Sequence, residues 1–204
     1  MGDYKMTKKQ KMNMYINEEN WTSFVKEFST EDVCCALNYR ECMALAYDLF
    51  VKNQDDYTVQ DFSVRLFFAI SQVYPDEWNK DWKNDVFLGK LCSITWRDDE
   101  RYAYYKKAYD RLEDPPDSLL LLLASCNSTP DTPPISDKES EDYLLRAVNK
   151  KITYEAAVMM RGLAQDKRDQ NKEAYWNAMC DTLEKNNIHT ETIIPDVLLE
   201  QNRR

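Results

Sequence analysis

Apolar residues recur along this chain at intervals of three and four, the spacing of one face of an α-helix. Trp21, Phe24, Val25 and Phe28 make the first such stripe. Ser29 or Thr30 caps the next helix, and Glu31 and Asp32 follow in its first turn, where carboxylates meet the positive end of the helix dipole. That stretch carries Val33, Leu37, Leu45 and Leu49 and breaks near Asn38. Thr58 caps a further helix through Val59, Phe62, Leu66, Phe67 and Ile70. It ends at Tyr74-Pro75, because the residue before a proline avoids helical geometry.

From Asp76 onward, shorter amphipathic segments alternate with polar turns. They are expected over about 81–93, 98–112, 117–126, 136–148, 153–163 and 171–183, with a last helix after Thr190 and Pro195 near its first turn. Asp114-Pro115-Pro116-Asp117 reads as a stop and a restart, and Ser136 with Glu139 as a capping box. Residues 1–15 lack a stripe and are expected to be a flexible tail. Residues 16–75 form an N-terminal helical segment, and 76–204 a region of helix pairs continuous with it.

Small residues recur inside these pairs. Leu88-Gly89 and Cys92 are followed by Tyr105, Ala108 and Pro115, and Gly89 and Ala108 lie 19 residues apart. Arg161-Gly162-Leu163-Ala164 is followed by Ala174, Tyr175 and Ala178. Tyr175-x-x-Ala178 echoes Tyr105-x-x-Ala108, and Leu144-x-x-Ala147 occupies the same place between them. The pattern resembles a degenerate tetratricopeptide or Sel1-type helical repeat over about residues 80–187. It departs from that family at Arg101, where alanine is expected, and in spacing, since the three alanines lie 39 and 31 residues apart. The resemblance implies an all-α fold of antiparallel helix pairs stacked as a short α-solenoid, with a groove that holds a partner segment. An irregular helical bundle accounts for the same alanines. In either case a glycine or alanine lets two helices approach, while a nearby aromatic fills the adjoining space.

Composition narrows the function. Only three of 204 residues are glycine, too few for a phosphate-cradling loop or for many tight strand turns. The net charge of −9 repels nucleic-acid backbones and suits a basic protein partner. The one basic cluster, Lys5, Lys8, Lys9 and Lys11, reads as part of the tail. No long apolar stretch suggests a secretory signal or a membrane span, so a cytoplasmic location is expected. The six cysteines sit within apolar helical patterns without a C-x-x-C pair, and read as reduced core thiols. Cys34 and Cys42, eight residues apart, share a face if one helix runs through both.

Catalytic constellations are scarce. His189 is the only histidine and lies in a polar turn, so a zinc pair such as H-E-x-x-H is excluded. Adjacent carboxylates such as Asp55-Asp56 point to different sides of a helix and make poor shared metal sites. No cofactor and no metal are implied. The densest functional signal is aromatic: Tyr102, Tyr105 and Tyr109 fall on one core face, whereas Trp96 and Tyr104 stand beside Asp98, Asp99 and Glu100. Exposed aromatics next to acids suit a hot spot for a basic partner, while packing between helices beside solvated acids accounts for the same residues. These residues mark a non-catalytic protein-binding module. One version is an immunity protein neutralising a basic toxin; others are an adaptor, a co-chaperone or a structural subunit. A carboxylate-dependent enzyme is the alternative of a different class.

Overall fold

The computed structural model describes residues 6–95, 97–128 and 133–201. Among these the fold is all-α, with no strand, and neighbouring helices pack as pairs. The chain divides into two compact units, which part between Asn84 and Asp85; the segment from Pro195 belongs with the first.

The first unit holds α1 (Lys8–Asn17), α2 (Trp21–Glu27), α3 (Thr30–Ala36), α4 (Tyr39–Lys52), α5 (Tyr57–Val73) and α6 (Pro75–Trp78). The expected tail is therefore helical from Lys8. Thr7 and Gln10 form a capping box, Met12 is fully buried, and the Tyr15 hydroxyl donates to Glu27 at 2.9 Å. A single buried methionine anchors α1, too little to register as a stripe. The break near Asn38 is real: Asn38 and Glu41 cap α4 reciprocally, as Ser29 and Asp32 cap α3. Asp56, not Thr58, caps α5. α4 and α5 form the central pair, joined where the Ser63 hydroxyl donates to the Ala46 carbonyl at 2.7 Å. Phe24 of α2 packs edge-on against Phe62 of α5, with ring centroids 6.0 Å apart.

Tyr74, at the end of α5, closes the open end of α3. Its hydroxyl lies 2.6 Å from the carbonyls of both Cys34 and Leu37 and shares its one proton between them. Burial, reinforced by the neighbouring Cys42 and Cys34 thiols, pushes its pKa up to about 12. A raised value means that the folded state favours the neutral phenol. The stabilisation is therefore complete below the ordinary tyrosine value of about 10 and is lost as pH rises through about 12. Tyr74→Phe is expected to cost about 1 kcal/mol at neutral pH, the net worth of one hydrogen bond, and to flatten stability between pH 10 and 12. Urea melts across that range check both; a wild-type-like melt at neutral pH would refute the capping role.

The helix end at Tyr74-Pro75 is not a domain end. Trp78 is 1% exposed, and the buried Asn84 amide donates to the Trp78 carbonyl at 2.8 Å and to the Tyr39 hydroxyl at 3.1 Å. These bonds keep residues 76–84 in the first unit, where the sequence pattern had placed them with the helix pairs that follow. α13 (Asp196–Gln201) packs on α4, and its Asp196 pairs with Lys83 at 2.6 Å.

The second unit holds most of α7 (Lys83–Ile94), then α8 (Asp98–Tyr109), α9 (Asp117–Ala124) with a 3₁₀ turn Ser125–Ser128, α10 (Asp137–Lys150), α11 (Tyr154–Asp166) and α12 (Gln170–Lys185). The expected capping box at Ser136 and Glu139 is present. α9 pairs with α10 and α11 with α12. Leu120, Leu121 and Ala124 of α9 pack with Leu144 and Ala147 of α10 and with Ala156 of α11. A second cluster joins Ala157 and Ala164 of α11 to Trp176, Cys180 and Leu183 of α12.

The echo of small and aromatic residues holds in two pairs and fails in the third. Tyr105, Ala108, Leu144 and Ala147 are all buried, but Tyr175 is 54% exposed and Ala178 faces solvent. The core face of α12 is instead the Trp176, Cys180, Leu183 stripe, rotated one residue from the face that the sequence echo selects. Apolar bulk decides which face is buried, and tryptophan outweighs alanine.

Candidate partner-binding site

The aromatic–acidic patch singled out in the sequence lies at the start of α8. Trp96 and the side chain of Asp98 fall outside what the structure describes. Asp99 is exposed. Glu100 is held by Arg97 through two bonds, of 2.8 Å to Nε and 2.5 Å to Nη2, so its charge is already matched within the chain. Tyr104 is half-buried, and desolvation raises its pKa, so much of its ring is committed to packing. Tyr105 is buried and Tyr102 and Tyr109 are half-buried, in keeping with the expected core face.

A concave site lies elsewhere in the second unit. A cavity of about 520 Å³ opens between the end of α9, the first turns of α10 and the last turns of α11. Its walls are two helical stripes at i, i+3, i+4 and i+7: Asp137, Ser140, Glu141 and Leu144 from α10, and Met159, Gly162, Leu163 and Asp166 from α11. Ser136 caps α10, and this fixes the direction in which its first-turn acids project. Ser140 is held by its bond to the Ala124 carbonyl at 2.8 Å. The floor is apolar, formed by Ala124, Leu144, Met159 and Leu163, and the rim is acidic.

The rim is not electrically balanced. Lys167 lies 2.6 Å from both oxygens of Glu141. Asp137 accepts a neutral amide bond of 2.9 Å from Asn127, and Asp166 has no ion-pair partner among the described residues. The Asn127 amide is oriented by that bond to Asp137. Its oxygen is then left shielded from water and without a donor among the described residues. A buried acceptor in that state costs free energy until a donor reaches it.

Gly162 sits at the middle of this wall. A glycine inside a helix costs about 0.5–1 kcal/mol relative to alanine, and internal packing is the usual reason for it. Here no packing among the described residues requires it, because a Cβ built on Gly162 would meet none of their atoms within 4 Å. Gly162→Ala is therefore expected to raise stability by about 0.5–1 kcal/mol in urea melts. A loss of stability would mean that the space over α11 is already filled.

A second cavity, of about 370 Å³, shares Glu141, Leu163 and Lys167 with the first and extends to Tyr175 and Trp176 of α12. It is the more apolar of the two, and the exposed Leu145 and Tyr175 stand at its edge. Periodicity alone did not reveal either site. The available signal was Gly162 in an otherwise good helix, near the first-turn acids of α10.

The remaining chemistry-bearing residues are dispersed. His189 is exposed in its turn, its Nδ1 2.9 Å from Glu155 and its ring against Tyr154. Lys90 is half-buried and donates to the Ile193 carbonyl at 3.1 Å; desolvation holds its pKa below the ordinary lysine value. All six cysteines are free thiols and five are buried, but Cys35 is exposed rather than part of the core. Cys34 ends up on α3 and Cys42 on α4, so no single helix face carries both. Among the described residues no group of three or more His, Cys, Asp or Glu is placed to hold a metal ion. No helix among them is long and apolar enough to cross a membrane. Comparison with models of known protein families, with curated proteins and with solved structures finds no match to this chain.

Proposed function

We propose that this chain is a non-catalytic protein-binding module, built in its second half from repeat-like helix pairs, and that its partner is a basic protein. The observation that carries the reading is the acid-rimmed cavity between α9, α10 and α11, where carboxylates outnumber ammonium groups over an apolar floor. An apolar floor supplies affinity, and an unbalanced rim supplies steering and selectivity for a cationic surface. The net charge of −9 extends the same preference over the whole chain.

A toxin enzyme that acts on nucleic acid is a partner of this chemistry, since such enzymes carry basic surfaces. The immunity protein is therefore the version that the acidic surplus favours. An adaptor for a basic segment makes the same prediction about salt. It differs in leaving the partner's activity intact.

The test is affinity purification from the native host at low and moderate salt, followed by titration of the identified partner with the purified chain. One stoichiometric basic partner is expected, with affinity falling at least tenfold as salt rises from about 50 to 200 mM, because rim charges are screened over a Debye length of about 10 Å. Loss of the partner's activity in the complex would select the immunity version. A chain that stays free of partner at both salts would overturn the proposal.

A further inference from the structure

The cavity over Gly162 has the chemistry of a receptor for one particular side chain. Its lining combines an apolar floor past Met159 and Leu163 with the carboxylates of Asp137, Glu141 and Asp166. Of these Glu141 is paired with Lys167, whereas Asp137 accepts a neutral amide bond and Asp166 has no ion pair among the described residues. Their needs match a side chain with an aliphatic stem and a planar head that carries several N–H donors. A lysine has the stem, but its single ammonium is a point charge. The guanidinium presents five donors in a fixed fork and loses less on leaving water.

We infer that the cavity receives an arginine side chain from the partner protein, its stem crossing α11 over Gly162 and its guanidinium reaching Asp166 and Asp137. Gly162 is the residue that admits it. The glycine leaves open space where a side chain would intrude, so the helix keeps an unfavourable residue that no contact among the described residues requires. Lys167, held by Glu141 at the boundary with the second cavity, keeps that end of the rim neutral and directs the cation to the Asp166 side. This inference rests on the protein-binding reading and assigns the site through which it works.

A random twelve-residue peptide library displayed against the full-length chain tests it. Bound peptides are expected to share an arginine, and replacing that arginine with citrulline, which keeps the shape and removes the charge, is expected to weaken binding at least tenfold. Gly162→Leu, which fills the cavity from the floor, and Asp166→Lys are each expected to do the same. Gly162→Ala is expected to weaken binding less, and its melt shows whether a lost affinity comes from the site or from unfolding. Peptides that share no arginine, or that bind Gly162→Leu as tightly as the native chain, would overturn the arginine receptor and leave the protein-binding reading standing. Free N-acetyl-arginine amide that binds as tightly as the peptides would overturn it in favour of a small-molecule site. If no peptide is retained and no partner co-purifies from the host, both readings fall together.

Discussion

Gly89→Ala is expected to destabilise the chain by about 2–3 kcal/mol, although alanine is the better helix former. A Cβ on Gly89 would lie 2.5 Å from Cδ1 of Tyr105 and closer still to Cε1, inside any real contact distance. The ring has nowhere to go. Tyr105 is 2% exposed, and burial also drives its pKa upward. The helix-propensity gain of up to about 1 kcal/mol is outweighed by the cost of displacing a fully packed aromatic ring. Chemical denaturation of the single variant measures the loss. The double variant Gly89→Ala with Tyr105→Leu separates the causes: if the clash is responsible, the two changes together should cost clearly less than the sum of their separate costs. A single variant as stable as the native chain would show that α7 and α8 do not approach at this point.

Removing two cations that face Asp85 is the other large effect expected. Asp85 lies in the first turn of α7, and its side chain is wholly buried. Lys107 reaches one oxygen at 2.9 Å and Arg111 the other at 3.1 Å. An ionised carboxylate so placed needs its partners, because taking a charge out of water without compensation costs several kcal/mol. Lys107→Met with Arg111→Met keeps the apolar stems and removes both charges. A loss of about 3–5 kcal/mol is expected, with each single variant costing less than half of it, since either cation serves in part for both. Adding Asp85→Leu to the double variant should recover much of the loss, as apolar replacement of buried ionic groups often does. A double variant that loses under about 1 kcal/mol would place these contacts with ordinary surface ion pairs. Asp85 and Gly89 lie one helical turn apart on α7, and their neighbours Lys107 and Tyr105 both lie on α8.

Much of the helical order was legible in the sequence. Capping is local chemistry, so Ser29 and Ser136 announced their helices, and Tyr74-Pro75 announced an end. The apolar stripes of α5 and α9 were dense enough to place both helices. α1 was not legible, because its order comes from a capping box at Thr7 and one buried methionine. The boundary between the compact units was hidden for a similar reason. Just before it Asn84 reaches Trp78 and Tyr39, contacts that no pattern of apolar and polar residues encodes.

The sequence by itself determined that this protein is helical, where most of its helices begin and end, and that it carries a surplus of acid. Those properties follow from backbone propensity, capping and composition, each of which acts within a few residues. The tertiary structure alone decided what two glycines in similar helical settings do. Gly89 lies under the ring of Tyr105, whereas Gly162 faces open space beside unbalanced carboxylates. It also decided that α12 buries Trp176 and leaves Tyr175 outside. Such outcomes depend on what another helix, distant in the chain, brings to the same point, and a one-dimensional pattern does not carry that information.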